Sequence, residues 1–230
     1  MEYGKRARLA AALTAVFGVA ALGLAVGFGF LPQVTSAKCV PADAVMRFEL
    51  AKSGADVPFL YGACRAQAVA AMDAVNHLDL AAFIPSYCGF LALAAWFLAR
   101  GRAGWLVWLG IAAAALTLAA DVVETTTLLK ITRQPDAAGA LYPISSAAAW
   151  HKFLLIGVGS AVLAAIAWTT RPRRPILTVL LSLPAAGTVA LFVDPHTTLL
   201  NLAYPIAWTS VLLVAAREAL WPPRTAPPAS

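Results

Sequence analysis

Long apolar runs separated by short charged segments dominate the chain. A helix crosses the hydrocarbon core of a bilayer with about 20 apolar residues, and six runs are long enough, at residues 9–31, 80–98, 105–127, 144–169, 176–193 and 199–216. The pattern predicts an all-α, polytopic membrane helical bundle with six transmembrane helices. We expect residues 1–221 to form a single transmembrane domain and the Pro-rich residues 222–230 to form a disordered tail.

The segment between the first two spans, residues 32–79, is richer in charge and in Pro and Gly. Pro41 can open a short helix in which Val45, Phe48 and the Ala51/Lys52 position recur at helical spacing. A second helix begins near Ala63 and is expected to continue into the second span. The segment therefore predicts short amphipathic helices that lie on the outer bilayer surface or cap the bundle.

Composition agrees with a membrane protein and gives its orientation. The chain is 61% hydrophobic and 12% charged, whereas soluble domains contain about 25% charged residues. In the six-span topology, the face carrying the termini holds ten Lys/Arg and two Glu, a net charge of +8, and the other face has a net charge of −2. The positive-inside rule then predicts that both termini are cytoplasmic. This distribution explains the net charge of +6 without a nucleic-acid partner.

The first span raises two further questions. Its apolar run, from Leu9 to Leu31, is longer than the core of a secretory signal, which has about 7–15 residues, so we expect it to remain as a span. Gly23 and Gly27 form a small-residue face that permits close helix approach, either within the chain or in a homo- or hetero-oligomer. The Ala-rich composition, with more Arg than Lys, is typical of a bacterial inner-membrane protein.

Two of the three cysteines lie in the long outer segment. Cys39 and Cys64 would face an oxidising compartment, where a disulfide between them is plausible. Such a bond would stabilise the segment by roughly 3 kcal/mol on the chain-entropy model. Cys88 lies within the second span and is interpreted as a small buried residue.

Two acidic residues stand near the end of the third span, in the segment LTLAADVVETTTLLK at residues 116–130. Asp121 and Glu124 are three residues apart, so they share one helix face. Ionisable groups in a bilayer are costly and mark functional sites. Lys152, in the fourth span, lies at a similar depth, since a helix rises about 1.5 Å per residue. We predict that Asp121 or Glu124 is a general acid or base and that Lys152 adjusts its charge.

Other polar side chains reach the same level from other spans, near the outer boundary of the bilayer. Asp79, Phe83 and Tyr87 share a helix face, so Tyr87 is expected to lie below Asp79. Tyr87 or Asn201 could orient a substrate. The predicted substrate-binding residues are Asp79, Tyr87, His151, Asn201 and Tyr204.

A metal site is an alternative for this layer. Imidazole and carboxylate groups suit zinc or iron, and the candidate ligands are His77, His151 and His196. The sequence contains no H-x-x-x-H or H-E-x-x-H pattern, so we expect no cofactor.

The sequence favours a membrane-embedded polar pocket that binds or processes a lipid or other amphiphile, and it leaves open whether the protein is an enzyme. A proton- or ion-coupled transporter is one alternative, and a non-catalytic scaffold or assembly subunit is another. A stoichiometric partner, with Asp121 and Glu124 paired internally to Lys152 and closed to water, would favour the scaffold. No phosphate-binding Gly-rich loop, nucleophile elbow or redox cysteine pair is present.

Overall fold

The computed structural model describes residues 2–37, 40–41, 43–195 and 197–221, and only the backbone of residues 2–6. Among these residues, six helices are long and apolar enough to cross a membrane, as predicted. The α-helices are α1 (Glu2–Gly27), α2 (Pro32–Thr35), α3 (Ala44–Leu50), α4 (Arg65–Leu78), α5 (Ile84–Leu98), α6 (Trp105–Arg133), α7 (Tyr142–Thr169), α8 (Pro175–Val193) and α9 (Leu199–Leu220). A π-helical turn, Asp79–Phe83, joins α4 to α5, and short 3₁₀ turns occur at Phe28–Phe30, Gly54–Asp56, Pro58–Leu60 and Pro135–Ala137.

The long helices pack as a closed ring in chain order. α1 contacts α5 and α9, and each of the other long helices contacts the next along the chain; α5 also touches α7. Glycines allow the closest approaches: a Cβ added at Gly157 would lie 2.7 Å from Thr188 Oγ1, and one at Gly110 would lie 2.9 Å from the Ala95 Cβ. Small residues therefore bring α7 against α8 and α6 against α5.

The chain between α1 and α5 folds over one end of this ring. α3 packs on α6 and α7, and α4 packs on α6. Phe48, Leu60 and Tyr142 are fully buried in the apolar cluster formed there. Ser146 donates a hydrogen bond of 3.1 Å to the backbone oxygen of Leu50, which fixes the end of α3 against α7.

The helix that contains the third predicted span is longer than that span, and one residue of the predicted apolar side of α3 is exposed. α6 runs to Arg133, six residues beyond the predicted end of the third span, because its last turns pack against α4, where Thr132 donates a hydrogen bond to Asp73. On the predicted apolar side of α3, Phe48 and the following Ala51 are buried, whereas Val45 is exposed.

Nothing within the described chain packs on the small-residue face of α1. A Cβ added at Gly23 or Gly27 would meet no atom within 4 Å, so the oligomer contact remains a prediction. The predicted Cys39–Cys64 disulfide also remains one, because Cys39 lies outside the described residues. Cys88 is free and buried. Residues 222–230, the predicted tail, are likewise outside the described part of the chain.

Candidate functional site

Asp121 and Glu124 lie on the inward face of α6, near the end that α3 covers. Their residue exposures are 2% and 0%, so both carboxyl groups are out of contact with solvent and lipid. Their three-residue spacing places them on the same side of the helix. The burial of two neighbouring acids requires a compensating charge.

Lys152 supplies that charge from the facing surface of α7. Its Nζ is 2.7 Å from Glu124 Oε2 and 3.4 Å from Asp121 Oδ1. The lysine is itself buried, with 6% residue exposure. The sequence predicted this pairing of Lys152 with Asp121 and Glu124 from their matching depths in the bilayer. The pairing is present in the bundle.

Glu49 is a fourth member, which the sequence interpretation did not select. Its Oε1 is 3.2 Å from Lys152 Nζ, and its side chain is 16% exposed. Glu49 follows Phe48, which α3 buries against the bundle. This position of a charged residue beside a buried aromatic residue is the sequence signal that could have identified Glu49. We call Glu49, Asp121, Glu124 and Lys152 the Lys152 cluster.

The charges of this cluster do not balance. A single ammonium faces three carboxylates, and Glu124 Oε1 is buried without a hydrogen-bond partner among the described residues. Burial raises the pKa of Glu49; the Lys152 ammonium opposes this effect, and Asp121 adds to it. A purely structural ion pair would be expected to balance its charges, since uncompensated buried charge is expensive.

Hydrogen bonds from α5 and α6 orient the surrounding groups. The Tyr87 hydroxyl donates to Asp121 Oδ2 at 2.5 Å, a contact that the sequence did not indicate. Thr125, one residue beyond Glu124, donates to Asp79 Oδ2 at 3.0 Å. The half-buried Asp79 thus lies at the edge of the Lys152 cluster.

An aromatic wall continues from the cluster towards the bundle interior. Trp208 stacks against Tyr87 at a ring-centroid distance of 5.5 Å and against Tyr204 at 5.8 Å. Trp208 Nε1 is buried without a hydrogen-bond acceptor among the described residues. The site therefore combines carboxylates, an ammonium and stacked aromatic rings, a set that can exchange protons or hold a polar cationic group.

The remaining predicted residues do not join the Lys152 cluster. Asn201 is exposed on the surface of α9, and Tyr204 borders the site, where it stacks on Trp208. His151 and His77 are exposed, and each places Nδ1 beside a backbone oxygen of its own helix, at 2.6 Å and 2.7 Å. His196 lies outside the described residues. Within the described chain, no group of three or more His, Cys, Asp or Glu side chains is arranged to hold a metal ion.

Comparison with known proteins adds nothing to these geometric observations. No protein-family model, curated protein or solved structure matches the chain. The six apolar helices indicate a membrane-embedded protein, and the Lys152 cluster is the strongest candidate for its functional site.

Proposed function

We propose that the protein spans the bacterial inner membrane with both termini in the cytoplasm. The Lys152 cluster and the covering segment, with α3 and α4, would then face the extracytoplasmic side. The distribution of charge supports this orientation, since the face with the termini carries a net charge of +8 and the other −2.

The function that we propose for the Lys152 cluster is to bind the polar head of a lipid or other amphiphile. The observation that carries this proposal is the charge imbalance: the buried carboxylates of Asp121 and Glu124 and the partly exposed carboxylate of Glu49 surround a single ammonium. A head group that brings positive charge would relieve it. The neighbouring faces of Tyr87 and Trp208 suit the same chemistry, because aromatic rings attract cations.

The edge of the Lys152 cluster is the entrance that we propose for such a head group. Glu49 and Asp79 are its partly exposed acids, and they belong to α3 and to the turn between α4 and α5. A head group arriving there would meet carboxylates first, while its apolar chain remained beside the helices of the bundle. α3 would close over the bound head group.

If the bound molecule also reacts, the roles follow from the contacts. Asp121 is held between the Tyr87 hydroxyl and the Lys152 ammonium, so it would be the oriented acid or base. Glu124 lies closest to Lys152 and would share its proton balance. Tyr87 would position Asp121, and Lys152 would hold the charge of the site.

The test compares the lipids that remain bound to purified wild-type protein and to Asp121→Asn, identified by mass spectrometry. Asp136→Asn is the matched control, since Asp136 is an exposed acid paired with Arg65. We expect a specific amphiphile to be retained by the wild type and the control and to be lost from Asp121→Asn. Equal retention by all three proteins would refute the proposal.

Proton- or ion-coupled transport is the second candidate, because protons or a small cation could also balance the excess carboxylates. Reconstituted vesicles should then show uptake driven by a pH gradient, abolished by Glu124→Gln and preserved by Asp136→Asn. If neither binding nor uptake depends on the cluster, the internal pairing of Lys152 would be that of a non-catalytic scaffold.

A further inference from the structure

The guanidinium groups of Arg100 and Arg174 meet Glu218 at the end of the bundle opposite the Lys152 cluster. Arg174 Nη2 is 2.7 Å from Glu218 Oε1, and Arg100 Nη2 is 3.9 Å from the same oxygen. The side chains of Arg100 and Arg174 are 28% and 15% exposed. We call these three residues the arginine cluster.

Local backbone structure brings both arginines to this point. Arg100 has a φ of +56° and Gly101 a φ of +70°, so the chain turns sharply after α5. Arg174 precedes Pro175 at the start of α8, and its backbone N–H bonds to Ala167 O at 3.2 Å. Its guanidinium lies 5.5 Å from the centre of the Phe97 ring. Arg174 is therefore packed into the bundle rather than extended into solvent.

The arginine cluster lacks acceptors as well as negative charge. One carboxylate faces two guanidinium groups, and each guanidinium has five N–H donors. Arg100 Nε and Arg174 Nη1 are buried without a hydrogen-bond acceptor among the described residues. Burial lowers the pKa of Arg174; Glu218 opposes the shift and Arg100 adds to it. The cluster is thus the reverse of the Lys152 cluster, with positive charge in excess.

We propose that the arginine cluster binds a phosphate group, carried either by an anionic lipid or by soluble phosphate. Phosphate oxygens would supply the missing acceptors, and the planar guanidinium fork matches their geometry. Basic pockets between membrane helices bind lipid head groups in this way. The exposed Arg102, Arg171 and Arg173 lie on the same face and would raise the local concentration of anions.

The proposal differs from general attraction between a basic face and an anionic membrane. General attraction depends on the number of charges, so every arginine on the face would contribute similarly. A built site depends instead on Arg174 and Arg100 and is weakened by Glu218, which competes for the same donors. Removing the Glu218 charge should therefore tighten binding, an effect that damage to the fold would not produce.

The experiment measures binding of dioctanoyl phosphatidylglycerol to the purified full chain in an uncharged detergent, with inorganic phosphate as a second probe. Relative to wild type, we expect at least tenfold weaker binding by Arg174→Gln and tighter binding by Glu218→Gln. Arg102→Gln, which removes an exposed charge from the same face, should change binding less than twofold. Arg174→Lys, which keeps the charge but loses the fork, should fall between wild type and Arg174→Gln.

Both probes carry a phosphate group, and together they distinguish a lipid phosphate from soluble phosphate. Binding of the lipid alone identifies a head-group site, and equal binding of inorganic phosphate identifies a site for the soluble ion. The proposal is overturned if neither probe binds, if Arg102→Gln weakens binding as much as Arg174→Gln, or if Glu218→Gln also weakens it.

Discussion

Lys152→Met and Glu124→Gln each remove one charge from the Lys152 cluster, yet the contacts predict very different costs. The Lys152 ammonium lies 2.7 Å from Glu124, 3.2 Å from Glu49 and 3.4 Å from Asp121. At an effective dielectric constant of about 20, each attraction is worth about 5–6 kcal/mol before desolvation is counted. Lys152→Met would lose all three.

Glu124→Gln loses one attraction but also relieves repulsion between carboxylates. Because Glu124 and Asp121 both contact Lys152 Nζ, their contacting oxygens are at most about 6 Å apart, where the repulsion is at least about 3 kcal/mol at the same dielectric constant. The same limit holds for Glu124 and Glu49. The lost attraction and the two relieved repulsions nearly cancel, so Glu124→Gln should cost little.

The expected difference can be measured by denaturant titration of the full chain in detergent, followed by tryptophan fluorescence. Lys152→Met should lower the free energy of unfolding by about 3–5 kcal/mol at neutral pH, since it strands buried charges. Glu124→Gln should lower it by less than about 1 kcal/mol. Lys130→Met is the control, because Lys130 is an exposed lysine on α6.

Acidification provides the second half of this test. Protonation of the stranded carboxylates should restore much of the stability of Lys152→Met. Equal costs of Glu124→Gln and Lys152→Met, or a failure of acid to rescue Lys152→Met, would contradict an excess of negative charge in the Lys152 cluster.

Three further predictions concern single groups. Burial raises the pKa of the Glu49 carboxyl above its ordinary value of 4.5. The stability that Glu49 contributes is therefore fully present below pH 4.5 and is lost as the pH rises through the pKa of the folded state. Glu49→Gln should remove this loss of stability from a pH series of unfolding curves. Tyr87→Phe should cost about 1.5–3 kcal/mol in the same titration, because it removes a hydrogen bond to a buried carboxylate, and an unchanged stability would contradict that contact. If Cys39 and Cys64 are bonded, alkylation of unreduced, denatured protein should add one group by mass, at Cys88, whereas three added groups would exclude the disulfide.

The sequence predicted the features that depend on a single helix. Each apolar run determines its own span, because lipid requires the backbone to satisfy its hydrogen bonds within the helix. The spacing of Asp121 and Glu124 is likewise a property of one helix. The prediction that Lys152 lies near these acids required only the depth of each residue in the bilayer, which follows from the constant rise per residue of a helix.

The features that depend on packing between elements could not be predicted in the same way. The hydrogen bond from Tyr87 to Asp121 joins two helices, and the π-helical turn at Asp79–Phe83 changes the helical phase between Asp79 and Tyr87. Asn201 lies at the predicted depth, but its side chain is on the exposed surface of α9. Because α9 is apolar around its circumference, its sequence does not indicate which face points into the bundle. Glu49 reaches Lys152 only because the segment that contains α3 folds back over α6 and α7.

Direct binding of two amphiphiles tests whether the Lys152 cluster holds a positively charged head group. Decylamine and decanoate each contain ten carbon atoms and carry head groups of opposite charge at neutral pH. We expect the wild-type protein to bind decylamine at least tenfold more tightly than decanoate, and Asp121→Asn to lose that preference while Asp136→Asn keeps it. Equal binding of the two probes by the wild type, or an unchanged preference in Asp121→Asn, would contradict the binding of a cationic head group by the Lys152 cluster.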